Sequence, residues 1–112
     1  MGLAEKTCVP CRGGVAPLAE DEARRYLAET PGWTISAGGG RIERRFKYKD
    51  FASAMEFARA VGELADREGH HPDIAVGWGY CNISFQTHKI RGLHDNDFIM
   101  AAKVNELAGE GG

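Results

Sequence analysis

All four histidines of this 112-residue chain fall between positions 70 and 94. Asp66 precedes the run Gly69-His70-His71-Pro72, and Trp78, Gln86-Thr87-His88 and Asp97 follow it. Imidazole has an unperturbed pKa of about 6.5, so it can both give and take a proton near neutral pH. An adjacent histidine pair before a proline is ordinary turn material when it stands alone. A third histidine and two carboxylates stand around it, and a chain with so few histidines that gathers them at one Pro-led turn is expected to spend them on a site. A metal centre built from His70, His71, His88 and His94 with Cys81 fits less well. Adjacent ligands rarely converge on one ion, and the usual ligand spacing is about two to five residues.

This constellation resembles the pterin-4a-carbinolamine dehydratase family. The family pattern has a charged residue, three spacers, His-His-Pro, an aromatic, a histidine nine spacers further, and a later Asp. Here it reads Asp66, His70-His71-Pro72, Trp78, His88 and Asp97, and Gly32-Trp33 and Gly92-Leu93 also match. The likeness covers residues 17–108. It implies removal of water from a 4a-hydroxytetrahydropterin to give a quinonoid dihydropterin, a hydro-lyase reaction of tetrahydrobiopterin recycling. No hydride moves in that step, so it requires neither a redox cofactor nor a metal.

By resemblance His70, His71 and His88 form the catalytic trio, with His71 and His88 nearest the departing hydroxyl and His70 orienting the ring. Asp66 would hold an imidazole in one tautomer. Gly69, Pro72, Gln86 and Thr87 would shape and contact the pterin edge. Trp78 would pack beneath the site or in the core, and Asp97 would serve the substrate side or only cap the last helix. Two positions depart from the better-studied relatives, with Gly69 in place of an Asp and Asn96 in place of an Arg. His94 lies outside the pattern and is read as a surface residue. The resemblance further implies a homodimer or tetramer. It leaves two alternatives: a non-enzymatic binding, assembly or transcription-cofactor module on the same fold, and a dehydratase acting on another pterin.

Composition is that of an ordinary globular domain and argues against a polyanion binder. Lys and Arg number 14 against 16 Asp and Glu, a net charge of −2, which lacks the positive field that nucleic acid or an anionic membrane requires. No apolar run nears the ~18 residues of a membrane span, and no apolar stretch follows Lys6 as in a signal peptide. A cytoplasmic protein is expected. Three cysteines without a secretion signal do not suggest a disulfide scaffold. Cys8-Val9-Pro10-Cys11 allows three readings: an ordinary arm, a metal or intersubunit site, or a reversible redox pair. Lying outside the motif, it is expected to be dispensable for chemistry.

The elements that must carry these residues follow from periodicity. Residues 1–16 read as an N-terminal arm hinged at Gly13-Gly14, residues 17–108 as the dehydratase-like domain, and residues 109–112 as a flexible tail. A first helix opens at Pro17-Leu18 with a weak cap at Ala19 and stops at Thr30-Pro31-Gly32. Trp33-Thr34-Ile35 begins a strand, Gly38-Gly39-Gly40 turns it, and Arg41 to Tyr48 returns. That return strand alternates: Ile42, Phe46 and Tyr48 on one face, Arg41, Glu43, Arg45, Lys47 and Lys49 on the other, with Arg44 breaking the apolar series unexplained. Asp50 caps a second helix with a core stripe of Phe51, Ala54, Met55, Ala58, Val61 and Ala65, and Gly69 stops it. Ile74 to Tyr80 reads as a third strand and Cys81 to Lys89 as a fourth. Asp95 or Asn96 caps a last helix. The expected architecture is α+β, a four-stranded antiparallel sheet with three helices on one face in the order α-β-β-α-β-β-α.

Overall fold

The computed structural model describes residues 2–9, 16–36 and 38–109, with the backbone alone for Lys89. The Gly13-Gly14 hinge, Cys11 and residues 110–112 of the tail lie outside the described residues. Seven main elements follow in the expected order: α1 (Glu20–Ala28), β1 (Thr34–Ile35), β2 (Ile42–Lys47), α2 (Phe51–Glu68), β3 (Asp73–Gly77), β4 (Tyr80–Phe85) and α3 (Asp95–Leu107). The strands form one antiparallel sheet in the order β1-β2-β4-β3. No helix among the described residues is long and apolar enough to cross a membrane.

The alternation in β2 and β4 sets the sheet's two faces. Ile42 and Phe46 of β2 and Cys81, Ile83 and Phe85 of β4 are buried under the helices, while Glu43, Arg45 and Lys47 point to the exposed face. Asp50 takes an extended conformation and accepts the Ser53 N–H at 2.8 Å, which starts α2 as expected of an N-cap. The buried stripe of α2 is Ala54, Phe57, Val61, Leu64 and Ala65. Phe51 and Met55, expected within it, are 48% and 46% exposed. The apolar arc of this helix is wider than the strip the sheet covers, and periodicity alone does not say which part of the arc turns inward. Phe57 is drawn in by ring contacts with Phe46 at 4.7 Å and Tyr48 at 5.4 Å.

Several boundaries differ from the sequence expectation for identifiable reasons. Helix α1 begins at Glu20, later than Pro17, where Glu22 accepts the Ala19 N–H at 3.2 Å and completes the cap that Ala19 cannot supply. Strand β3 ends at Gly77, because Trp78 and Gly79 form the hairpin turn, with Gly79 at φ 83. Strand β4 stops at Phe85, since its partner β2 begins at Ile42, directly opposite. Beyond it Thr87 makes a single bridge to Gly92, and His88–Ile90 form a 3₁₀ turn.

Arg44, inexplicable from the alternation, belongs to a polar knot on the helix side of the sheet. Its Nη1 donates to Asn105 Oδ1 at 2.8 Å and to the Pro31 carbonyl at 3.0 Å, and its guanidinium lies 4.4 Å from the Phe46 ring centre. Asn105 is wholly buried; its Oδ1 also accepts from Trp33 Nε1 at 2.9 Å, and its Nδ2 donates to Pro31 O at 3.0 Å. Gly32 has φ +89, and a Cβ there would lie 2.6 Å from the guanidinium, so both its backbone and its lack of a side chain are required. The knot ties the α1–β1 turn, β2 and α3 together.

Asn105→Leu should therefore strand the Trp33 N–H and part of the guanidinium in the interior. Leaving buried donors unpaired costs about 2–3 kcal/mol, a fall in Tm of roughly 10 °C for a domain of this size. A thermal melt that matches wild type would show that the knot contributes no stability.

Candidate active site

The histidine site is assembled at the junction of three chain segments. At the end of α2, Gly69 adopts φ 71 and its N–H bonds to Ala65 O at 2.8 Å. This left-handed cap bends the chain so that the two adjacent histidines leave in different directions. His70 turns inward, with its side chain 11% exposed, and lies parallel to the Phe85 ring at 6.0 Å. His71 turns outward and is 62% exposed. Pro72 then leads into β3.

Inside, His70 Nε2 lies 2.6 Å from Asp97 Oδ1. Asp97 has no exposed surface. Its second oxygen accepts the Thr87 hydroxyl at 2.8 Å and the His94 N–H at 3.0 Å. Oδ2 thus accepts from two donors, and Oδ1 shares its hydrogen bond with the imidazole. A buried carboxylate is tolerable only when its lone pairs are so occupied, and the first turn of α3 adds the positive end of the helix dipole. Thr87 is itself buried, and its N–H bonds to Gly92 O at 3.0 Å, closing the loop that carries His88. Asp97 therefore binds the end of α2 to the 87–92 loop, and by doing so brings His88 to the same region as the His pair. His88 is exposed on the 3₁₀ turn.

On the rim, His71 Nε2 lies 2.9 Å from Asp66 Oδ1, one helical turn earlier. Asp66 is the carboxylate expected to fix an imidazole, and the imidazole it meets is His71. Gln86 is half-buried between β4 and the Thr87 bridge. Trp78 stands at the β3–β4 turn and is 74% exposed, so it is not a core residue. Asp97 and Thr87 expose almost nothing, so any influence they have on a bound molecule passes through the groups they hold. Among the described residues no three His, Cys, Asp or Glu side chains converge as a metal ion would need.

His94 departs from its reading as a surface bystander. It is the N-cap of α3: its Nδ1 accepts the Asn96 N–H at 3.0 Å, while Asp97 reaches back to the His94 N–H. Neither Asp95 nor Asn96 caps the helix. The signal was present as His94-x-x-Asp97, the spacing of a capping box with imidazole in place of a hydroxyl. Asn96, also missed, is 1% exposed and engaged with the N-terminal arm.

The sequence profile of the pterin 4 alpha carbinolamine dehydratase family matches residues 16–107. A protein of Aromatoleum aromaticum, provisionally named pterin-4-alpha-carbinolamine dehydratase, is 58% identical over 106 residues, 95% of each chain. One of Methylococcus capsulatus with the same provisional name is 55% identical over 108 residues, covering 96% of this chain and 95% of its own. Among solved structures, a transcriptional coactivator/pterin dehydratase from Brucella melitensis superposes with TM-score 0.78 at 32% identity, over 83% of this chain and 99% of that one. A pterin dehydratase-like protein described as a RuBisCO assembly factor of the alpha-carboxysome superposes with TM-score 0.60 at 26% identity, over 70% and 90%. The chain belongs to the pterin 4 alpha carbinolamine dehydratase family.

The unequal burial of the histidines separates their effects on stability. His70→Ala should leave the interior carboxylate short of a donor and cost about 2–3 kcal/mol. His71→Ala removes only an exposed pair and should stay within about 0.5 kcal/mol of wild type. His94→Ala should lose about 1 kcal/mol as a missing cap. Urea unfolding of the three variants checks the ranking, and a His71 variant less stable than the His70 variant would contradict the assignment of inner and outer histidine.

Proposed function

We propose that this protein is a hydro-lyase that removes water from a 4a-hydroxytetrahydropterin to give the quinonoid dihydropterin. The observation that carries the reading is the site itself: three histidines at the family's positions, one anchored by a buried carboxylate and one held by an exposed one. The names of its relatives support the same substrate class. In the reaction the carbon–oxygen bond at the 4a position breaks, and the leaving oxygen takes a proton and departs as water. A ring nitrogen gives up its proton as the new double bond forms. His71 and His88 exchange those protons, being exposed enough to return to their starting states through solvent. His70, fixed through Nε2 by Asp97, orients the ring with its remaining nitrogen. Gln86, Gly69 and Pro72 shape the substrate's surroundings, and Trp78 is the aromatic nearest in sequence to the His pair. The reaction needs no redox cofactor and no Lewis acid.

Replacing His71 or His88 by Ala should lower kcat/KM for 4a-hydroxytetrahydropterin dehydration by roughly 10²-fold or more, the usual scale of a general acid or base. Replacing both should cost less than the product of the single effects, because groups that act together are not additive. Exhaustive chelation should leave turnover unchanged. Two single variants that keep wild-type rates would remove the catalytic reading and favour a binding or assembly role on this fold.

The enzyme further acts as a homo-oligomer, a dimer or tetramer. Strands β1 and β3 are the sheet's two edges and leave backbone groups unpaired. Light scattering at micromolar concentration should give at least twice the chain mass; a monomer would contradict this.

A further inference from the structure

Next to the histidines, a set of contacts has no part in the dehydration step. The segment before the domain packs on α3, with Leu3 only 4% exposed. Lys103 Nζ donates to the Ala4 carbonyl at 2.9 Å and lies 3.8 Å from Glu68 Oε2. Glu68 Oε1 accepts the Cys8 N–H at 3.0 Å. Asn96 pairs with Val9 in both directions, accepting its N–H at 3.1 Å and donating to its carbonyl at 2.7 Å. An amide that exchanges two hydrogen bonds with one backbone residue fixes both position and orientation, as a rung of a sheet does.

The two residues that grip this segment sit at informative places. Glu68 is the last residue of α2, two before His70, and Asn96 is the neighbour of Asp97. The 2.6 Å contact between His70 and Asp97 spans the same two helix ends. We propose that residues 3–9 form a clasp that holds the end of α2 against the start of α3, and that Asn96 is a positioning residue which sets the His70–Asp97 geometry through it. The buried amide is then the reason this chain has Asn at position 96. On this proposal the Cys8 segment bears on turnover, contrary to its expected dispensability for chemistry. Cys8 lies within the clasp, its Sγ 3.8 Å from Asn96 O, and burial, reinforced by Glu68, pushes its thiol up to about 11. It therefore stays neutral near pH 7 and adds no charge beside Glu68.

The kinetic consequence rests on the dehydratase reading; the geometric one does not. The test uses the full chain with histidine labelled by ¹⁵N. In wild type, the His70 ring proton shared with Asp97 should resonate well downfield of the amides. Asn96→Ala should broaden that signal or move it upfield, and lower kcat about tenfold with KM within about twofold, since misplacement of a reacting group acts on turnover. Lys103→Met, which frees the Ala4 end, should shift the same signal by less, and it serves if Asn96→Ala does not fold. Arg59→Gly, which destabilises exposed mid-α2 without touching the clasp, should leave signal and kcat unchanged. An unchanged His70 signal and kcat in both clasp variants would overturn the proposal, as would an equal shift in Arg59→Gly. Wild-type protein without dehydratase activity would sink the functional reading, while the ring-proton comparison would still decide the clasp.

Discussion

The carboxylate of Asp97 is the constraint on which the site depends. It is wholly buried and hydrogen-bonds to an imidazole, a hydroxyl and a backbone N–H on three separate stretches of chain. Isolated, a carboxylate in that position would be strongly disfavoured. Its presence therefore forces the end of α2, the 87–92 loop and the start of α3 to meet with hydrogen-bonding accuracy. The remaining elements serve that meeting. The sheet supplies Phe85 beneath the His70 ring, Gly69 bends the chain inward, and His94 caps the helix from which Asp97 projects.

Much of this was legible in the order of residues. The alternation of β2 placed its two faces correctly, Asp50 and Gly69 marked the ends of α2 by their capping chemistry, and the pattern from Asp66 to Asp97 picked out residues that the fold joins by hydrogen bonds. These are local signals, each carried by a side chain acting on its own backbone or by a period that a regular element must obey. What was not legible depends on contacts between distant segments. Arg44 looked like an error in an apolar series, because its partners, Asn105 and Pro31, lie far away in sequence. Asn96 looked like a lost cation, because its partner is the backbone of Val9, 87 residues earlier. The width of the apolar arc on α2 hid which side the sheet would cover, so Phe51 and Met55 were placed inside.

Two buried asparagines illustrate a common physical solution. Asn105 and Asn96 each lie almost without solvent contact and each use both ends of the amide. A neutral amide can accept and donate at once, which a carboxylate or an ammonium cannot. It can therefore join two chain segments in the interior without leaving a charge to be compensated. Asn105 does so between β2 and the α1–β1 turn, and Asn96 between α3 and the backbone of Val9. On α3, with most of its circumference buried, such residues let one helix make polar connections on several sides.

The histidines divide into one that is held and two that are accessible, and this division bears on the proton transfers proposed above. A group that must gain and lose a proton in each cycle has to exchange it with water afterwards. His71 and His88 meet that requirement through their exposure. His70 is instead largely buried, with its Nε2 committed to the 2.6 Å contact with Asp97. The proposed division of labour, with His70 orienting the ring and the other two exchanging protons, follows from this difference. The same argument explains why His71 can rely on an exposed partner. The Asp66 contact steadies the imidazole without removing it from solvent, so His71 keeps a defined direction while its protons still exchange with water.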